Sequence, residues 1–406
     1  MTKVEGKIFD FVKKHLPLIM LITVTVLGLF IRWKGMDFQS DDFRDFLSAW
    51  WNRIEQGGIE SLSYQVGNYN IPYQIIIYIL TLLPFQAMTA YKLLSIFFDI
   101  VLAVGAMLVV SETVKKPILS FKPVLAYSLV FCSITVIFNS AFWAQCDCMY
   151  VAFILLAIYA EMKGKHIPAF IFLGVSLAFK LQVVFILPVF VYYYISSRRV
   201  SILHFLLIPA TDIVMCLPAV FMGRSFIDIF KIYVDQTDYG KLIQMNCPNF
   251  YAFMCNGFDM SNYYLFKPIS IGLTALVLGL GLFLILYKRV DLTDSENFLL
   301  TASWTAFTCI MLLSSMHERY GYLLDILLIL YVLVSKKHFA IAVIANLVSL
   351  RGYCYYLFGN YESLTLQWTA VIYVGLYAYT TFVFVRDVAV RGKKQEKTPD
   401  LKTQKA

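Results

Sequence analysis

Four carboxylates fall within Asp37-Phe38-Gln39-Ser40-Asp41-Asp42-Phe43-Arg44-Asp45, directly after the first long apolar run of the chain. A carboxylate just outside a bilayer can act as a general base on a hydroxyl when burial and neighbours tune it. For any one of the four, a solvated loop that avoids the membrane is the plainer reading. Taken together, with Phe46, Trp50 and Trp51 behind them as interfacial aromatics, they favour a site. The segment Gly67-Asn68-Tyr69-Asn70-Ile71-Pro72-Tyr73 follows, a turn with amide donors and a phenol just before a helix start. Amides and hydroxyls on an aromatic floor suit a polyol, although a capped turn explains the bare pattern.

Three further clusters carry polar groups in otherwise apolar sequence. Gln145-Cys146-Asp147 closes an apolar span and supplies a second carboxylate. Cys146 and Cys148 without a nearby His match zinc spacing poorly, so no metal is expected there. Lys180, between Phe179 and Leu181 and followed by Gln182, is costly at membrane depth unless it snorkels or meets an anion. Either it neutralises an internal acid such as Asp99, or it awaits an anionic ligand. Finally, His317-Glu318-Arg319-Tyr320 joins an imidazole, an acid, a guanidinium and a phenol at a helix end. An ion pair involving Asp325 is the bland reading, and phosphate recognition by the planar guanidinium is the functional one.

The elements that position these groups are membrane helices. The chain has 406 residues, 60% hydrophobic and 15% charged, with a mean hydropathy of +0.70. A soluble globule carries nearer a quarter charged residues, so a polytopic all-α membrane protein is expected. Lys3, Lys7, Lys13 and Lys14 before the first span imitate a secretory signal, but no small-residue cleavage site follows, so it is read as a retained helix. The formal net charge of +8 lies mostly in short loops, where it orients the chain and implies no nucleic acid. Four of eight cysteines sit in apolar segments; Cys247 and Cys255, on one loop, form the one plausible disulfide.

Topology turns on Ile71 to Leu83, which is apolar but too short to cross a bilayer. If it lies at the interface, the basic pairs Lys115/Lys116, Lys163/Lys165, Arg198/Arg199, Lys288/Arg289 and Lys336/Lys337 all fall on the cytoplasmic side. The expectation is therefore about 12 transmembrane helices with both termini cytoplasmic and Ile71 to Leu83 as a juxtamembrane helix. Residues 1–389 are read as one membrane domain, with outer loops at 33–90 and 222–262 and a basic tail at 390–406. All the polar clusters then share the outer side.

In order, Ser40-Asp41-Asp42-Phe43, Gly67-Asn68-Tyr69-Asn70-Ile71-Pro72-Tyr73, Gln145-Cys146-Asp147, Ala178-Phe179-Lys180-Leu181-Gln182 and Met316-His317-Glu318-Arg319-Tyr320 resemble a known group. They are similar to bacterial relatives of the second mannosyltransferase of glycosylphosphatidylinositol-anchor assembly, within the GT-C superfamily of integral membrane glycosyltransferases. The resemblance implies a GT-C fold, a polyprenyl-phosphate sugar donor and an extracytoplasmic acceptor that is a glycan, glycopolymer or lipid. It also implies an inverting transfer with a first-loop aspartate as base, Asp42 by match to the motif, with Asp41 as the alternative. Asp147 takes the family's second acidic position. Lys180 and Arg319 would hold the donor phosphate, with Gln182 and His317 nearby, in the plasma membrane of a bacterium. The chain departs from the pattern at Ile71, where relatives often carry a second proline, and at Gly321, where a bulkier aromatic is common.

No cofactor or metal is expected, because the leaving group is a monophosphate. The main rival is a transporter or flippase for a lipid-linked saccharide, which would need polar groups on both sides of the membrane. A polysaccharide polymerase or O-acyl transfer enzyme would call for a dominant outer loop or an intramembrane His pair, and neither is evident.

Overall fold

The structure is a computed structural model describing residues 1–237, 241–254, 262–359 and 364–396. It is 79% helix with almost no strand. In chain order the helices are α1 (Lys3–Gly35), α2 (Ser48–Gly57), α3 (Ile71–Thr81), α4 (Ala87–Val114), α5 (Phe121–Phe131), α6 (Ile134–Ile137), α7 (Asp147–Met162) and α8 (His166–Phe179). They continue as α9 (Leu187–Ser197), α10 (Leu207–Phe221), α11 (Asp228–Thr237), α12 (Tyr263–Tyr287), α13 (Ser295–Leu312), α14 (Tyr322–Ser335), α15 (Phe339–Phe358) and α16 (Leu366–Glu396).

Six of these segments are long and apolar enough to cross a membrane: α1, α4, Ile202–Phe221, α12, α15 and Leu366–Val388. The pair Phe121–Phe131 and Ile134–Phe142, bent by 49°, makes a seventh if it counts as one span. The chain is thus a helical membrane protein. At 1.5 Å per residue, α3 is about 16 Å long, roughly half a hydrocarbon core. Pro72 stands in its first turn, where a missing N–H costs nothing. The expected basic tail begins as helix, since α16 runs on to Glu396; residues 397–406 lie outside the described residues.

The chain divides into two units, one of residues 1–183, 203–239 and 353–360, the other of 184–202, 240–352 and 361–406. In the first unit α4 packs between α5 and α7, α7 packs on α8, and α8 on α10. In the second, α13 packs on α14, α16 and α12, and the two-residue strands β1 (Gln244–Met245) and β2 (Met316–His317) pair in parallel. Cys255 lies outside the described residues, and with it any statement on its pairing with Cys247.

A buried ion pair ties the first unit together. Arg32 Nε donates to Asp99 Oδ2 at 2.8 Å, and neither side chain has any exposure. The rest of the guanidinium donates to the carbonyls of Gly28 and Phe131 and lies 4.0 Å over the Phe131 ring. Ser140 donates to the same carboxylate oxygen at 2.5 Å. Asp99 is therefore neutralised by Arg32, and the sequence reading that offers it to Lys180 is corrected. Gly28 permits this approach of α1 to α5, since a Cβ there would lie 2.5 Å from the Phe131 ring.

Removing one partner should strand the other charge, at a cost of about 3–5 kcal/mol. Asp99→Leu or Arg32→Met alone is expected to lower the unfolding midpoint of detergent-purified protein sharply. The double variant Arg32→Met/Asp99→Leu should recover most of the loss. A single variant that melts like the wild type would contradict the keystone role of this pair.

Candidate functional site

Asp42 reaches its place through a short relay of clamps. Lys92, buried on α4, donates to the carbonyls of Gly35, Met36 and Phe38 at 2.8, 3.0 and 2.5 Å. These carbonyls have no partner within α1, so the ammonium closes the helix end and fixes the exit of the chain. Ser40, also buried, then donates to the Trp143 carbonyl at 3.2 Å and accepts from the Phe43 N–H. A π-helical turn, Phe43–Leu47, follows directly on Asp42. A second one, Phe138–Phe142, directly precedes Trp143. Such turns are rare and occur often at functional sites.

Asp42 is half-buried and accepts three side-chain hydrogen bonds. Trp143 Nε1 and Gln145 Nε2 donate to its Oδ2 at 2.8 and 2.7 Å, and the Tyr356 hydroxyl donates to Oδ1 at 2.5 Å. Trp143 stacks on Tyr356 with centroids 4.2 Å apart, and Tyr353 meets the same indole edge-on. Ala144, between the two residues that bind Oδ2, has φ +60°, a left-handed conformation costing about 1–3 kcal/mol for a residue other than glycine. That strained turn is what directs an indole and an amide to one oxygen.

The other first-loop acids point away. Asp37, Asp41 and Asp45 are exposed, and Asp41 pairs locally with Arg44, both side chains more than half exposed. The Asp41 carboxylate is thus engaged by Arg44 rather than by the donors that hold Asp42.

Three of the polar clusters read from the sequence converge beside Asp42. Tyr69 donates to Gln145 Oε1 at 2.7 Å, which joins the Gly67 turn to the carboxylate cluster. Gly67 has φ +75°, and a Cβ on it would lie 2.4 Å from the Trp50 ring, so both its backbone and its neighbour call for glycine. Asp147, which the sequence places at the end of a span, is instead the first residue of α7 and nearly fully buried. Its Oδ1 pairs with Lys180, and its Oδ2 accepts from Asn139 at 2.8 Å. Asn139 donates in turn to Tyr353 at 2.9 Å. The Lys180 ammonium also sits 5.8 and 5.9 Å from the rings of Tyr69 and Tyr150.

Asn70 serves the protein more than a ligand. It is 1% exposed, donates to the Leu177 carbonyl and to Tyr233, and accepts from Gln236 at 2.7 Å. Gln236 also donates to the Asn68 carbonyl, so α11 is latched onto this turn. Burial, then the nearby Asp212 carboxylate, push the Tyr233 phenol up, which keeps it a neutral donor to Leu177. Arg224, before α11, donates to the Tyr64 carbonyl, Gln74 and Gln65 and so ties the irregular stretch 58–66 in place. The side-chain oxygens of Asn68 and Gln182 are buried with no hydrogen-bond partner among the described residues.

The fourth cluster belongs to the second unit. His317 lies on β2, its Nδ1 3.8 Å from Glu318, and its ring meets Tyr320 at 5.2 Å. Glu318 is buried, Arg319 and Tyr320 are half-buried, and Tyr320 faces Phe185. Asp325 is fully buried and makes no ion pair with Arg319, which sets aside the local pairing considered from the sequence.

Several residues that hold this site were not singled out from sequence: Lys92, Arg32, Asn139, Tyr353 and Tyr356. The spacing of Tyr353 and Tyr356, three apart on one helix face, is the available signal for the last two. No family model and no curated protein matches the chain.

Pairing of Lys180 with Asp147 in a buried setting has a direct consequence. Lys180→Met should destabilise by about 3–5 kcal/mol, and Lys180→Met/Asp147→Asn should restore the midpoint. Equal melting of Lys180→Met and wild type would show instead that the ammonium contributes nothing to folding.

Proposed function

We propose that the protein is a membrane glycosyltransferase that moves a hexose from a polyprenyl-phosphate donor to an acceptor hydroxyl, with Asp42 as general base. The observation that carries this reading is the setting of Asp42. It alone of the four first-loop acids is turned inward, held by donors from separate segments and bounded by the Trp143–Tyr356 stack. A half-exposed, oriented carboxylate beside aromatic faces and amides is suited to gripping a sugar and taking a proton from an alcohol.

In the proposed step Asp42 accepts the acceptor's hydroxyl proton as its oxygen forms a bond to the anomeric carbon. The bond from that carbon to the phosphate oxygen breaks, and polyprenyl phosphate leaves with the electron pair. Attack opposite the leaving group inverts the anomeric centre. The donor dipoles around Asp42 hold the base in orientation, which is the protein's main contribution to positioning. Lys180 acts chiefly through Asp147, as a charge that sets the floor of the site beneath Tyr69.

The GT-C arrangement of about twelve spans belongs to the same proposal. Setting aside α2, α3, α6 and α11 leaves twelve helices among the described residues. Basic residues in the loops at 115–116, 163–165, 198–199, 288–289 and 336–337 support one cytoplasmic side for all of them. On that reading the Asp42 site faces outward from a bacterial plasma membrane and both termini are cytoplasmic.

The test is incubation of purified protein with a panel of polyprenyl-phosphate hexoses, following polyprenyl phosphate release and sugar transfer by mass spectrometry. Wild type should turn over at least one donor. Asp42→Asn should lose about 10²–10⁴-fold in rate while melting near wild type, and Asp41→Asn should keep its rate. Intact donor that merely crosses the bilayer of proteoliposomes would favour a flippase; full turnover in Asp42→Asn would remove the base.

A further inference from the structure

The second unit contains a buried oxygen cluster that the proposed reaction does not use. Asp325, in the first turn of α14, has no exposure, and among the described residues no cation pairs with its carboxylate and no hydrogen bond of good geometry reaches either oxygen. The Tyr373 hydroxyl on α16 is likewise buried and unpartnered. Ser349 on α15 is 4% exposed, and its hydroxyl interacts with the Asp325 carboxylate. The Tyr373 hydroxyl interacts electrostatically with the same carboxylate.

Gly321 makes room for this cluster. A Cβ at this position would lie 2.9 Å from Ser349 Oγ and 3.3 Å from the Tyr373 hydroxyl, so two hydroxyl oxygens border the space a side chain would fill. The Gly321 carbonyl also accepts the Asp325 N–H at 2.9 Å, which puts the carboxylate one helical turn below the same point.

A buried carboxylate without a cationic partner carries a heavy desolvation penalty, and the α14 N-terminus offsets only part of it. We propose that Asp325, Ser349 and Tyr373 hold a sodium-sized monovalent cation. One carboxylate balances one positive charge, whereas a divalent ion would leave a net charge buried. All the groups present are oxygens, as a hard cation requires. A proton on Asp325 would neutralise the carboxylate as well; a cation would in addition bind the oxygen lone pairs of Ser349 and Tyr373.

Thermal unfolding of the purified full-length protein in NaCl, KCl and choline chloride at equal ionic strength tests this. Unfolding opens the site, so mass action applies even to an enclosed ion. Wild type should gain roughly 1–2 °C in midpoint for each tenfold rise in NaCl above the dissociation constant, and less or nothing in the other salts. Asp325→Asn should melt at one temperature in all three. Gly321→Ala, which keeps the carboxylate but crowds the hydroxyls, should fold with a weakened sodium response. Identical wild-type curves in sodium and choline would overturn the proposal and assign the carboxylate a proton. An undiminished sodium response in Asp325→Asn would overturn it as well.

Discussion

Arg32 and Asp99 meet where no water reaches, and the geometry of the first unit follows from that meeting. In an apolar medium an unpaired charge is so costly that the helices carrying the two partners have little freedom of relative rotation. Arg32 fixes the last turns of α1 against α4 and α5, and Ser140, bonded to the same carboxylate, fixes the π-helical turn that leads to Trp143. Both arms of the Asp42 site leave from this pair. One runs from the end of α1 through the Lys92 clamp and Ser40 to Asp42, and the other runs through Phe142 to Trp143 and Gln145.

The site is thereby held by rigid parts on one side and by an irregular loop on the other. Three departures from regular helix border Asp42: two π-helical turns and the left-handed Ala144. Each raises the local free energy slightly, and the packed helices around them sustain it. On the other side, Gln74 and Arg224 bind carbonyls and amides of residues 61–66, where the 3-10 turn Gly58–Ser63 ends and the chain runs on without regular structure. The latch of Gln236 onto Asn68 and Asn70 extends this support to α11. The sugar-binding reading of the Gly67 turn therefore narrows to Tyr69 and Asn68, because Asn70 is fully engaged by the protein.

Much of the fold was legible in the sequence because membrane helices announce themselves by length and apolarity. The short α3 was readable for the same reason. Asp42 was legible as one acid of four; its selection over Asp41 came from a resemblance, and its physical distinction is the inward hydrogen bonds that only folding creates. The charge pairs were half legible. Asp99 and Lys180 each called for a partner, but Arg32 looked like an ordinary flanking cation beside Trp33 and Lys34, and Asp147 like a ligand-facing acid. Tyr356 was hidden because a tyrosine in an apolar helix carries no sign of what its hydroxyl will meet. The departure at Gly321 was visible from the start, although its neighbours Ser349 and Tyr373 come from distant helices that only the structure brings together.

If Asp42 is the base of the proposed transfer, its carboxylate faces the reacting centre of a lipid-linked sugar. The most direct test is an experimental structure of the protein with a non-transferable polyprenyl-phosphonate hexose bound. The sugar ring should then lie against the Trp143–Tyr356 stack, with an acceptor hydroxyl, when present, within about 2.6–3.2 Å of an Asp42 oxygen. A sugar bound elsewhere, with Asp42 and its three donors left untouched, would contradict that role.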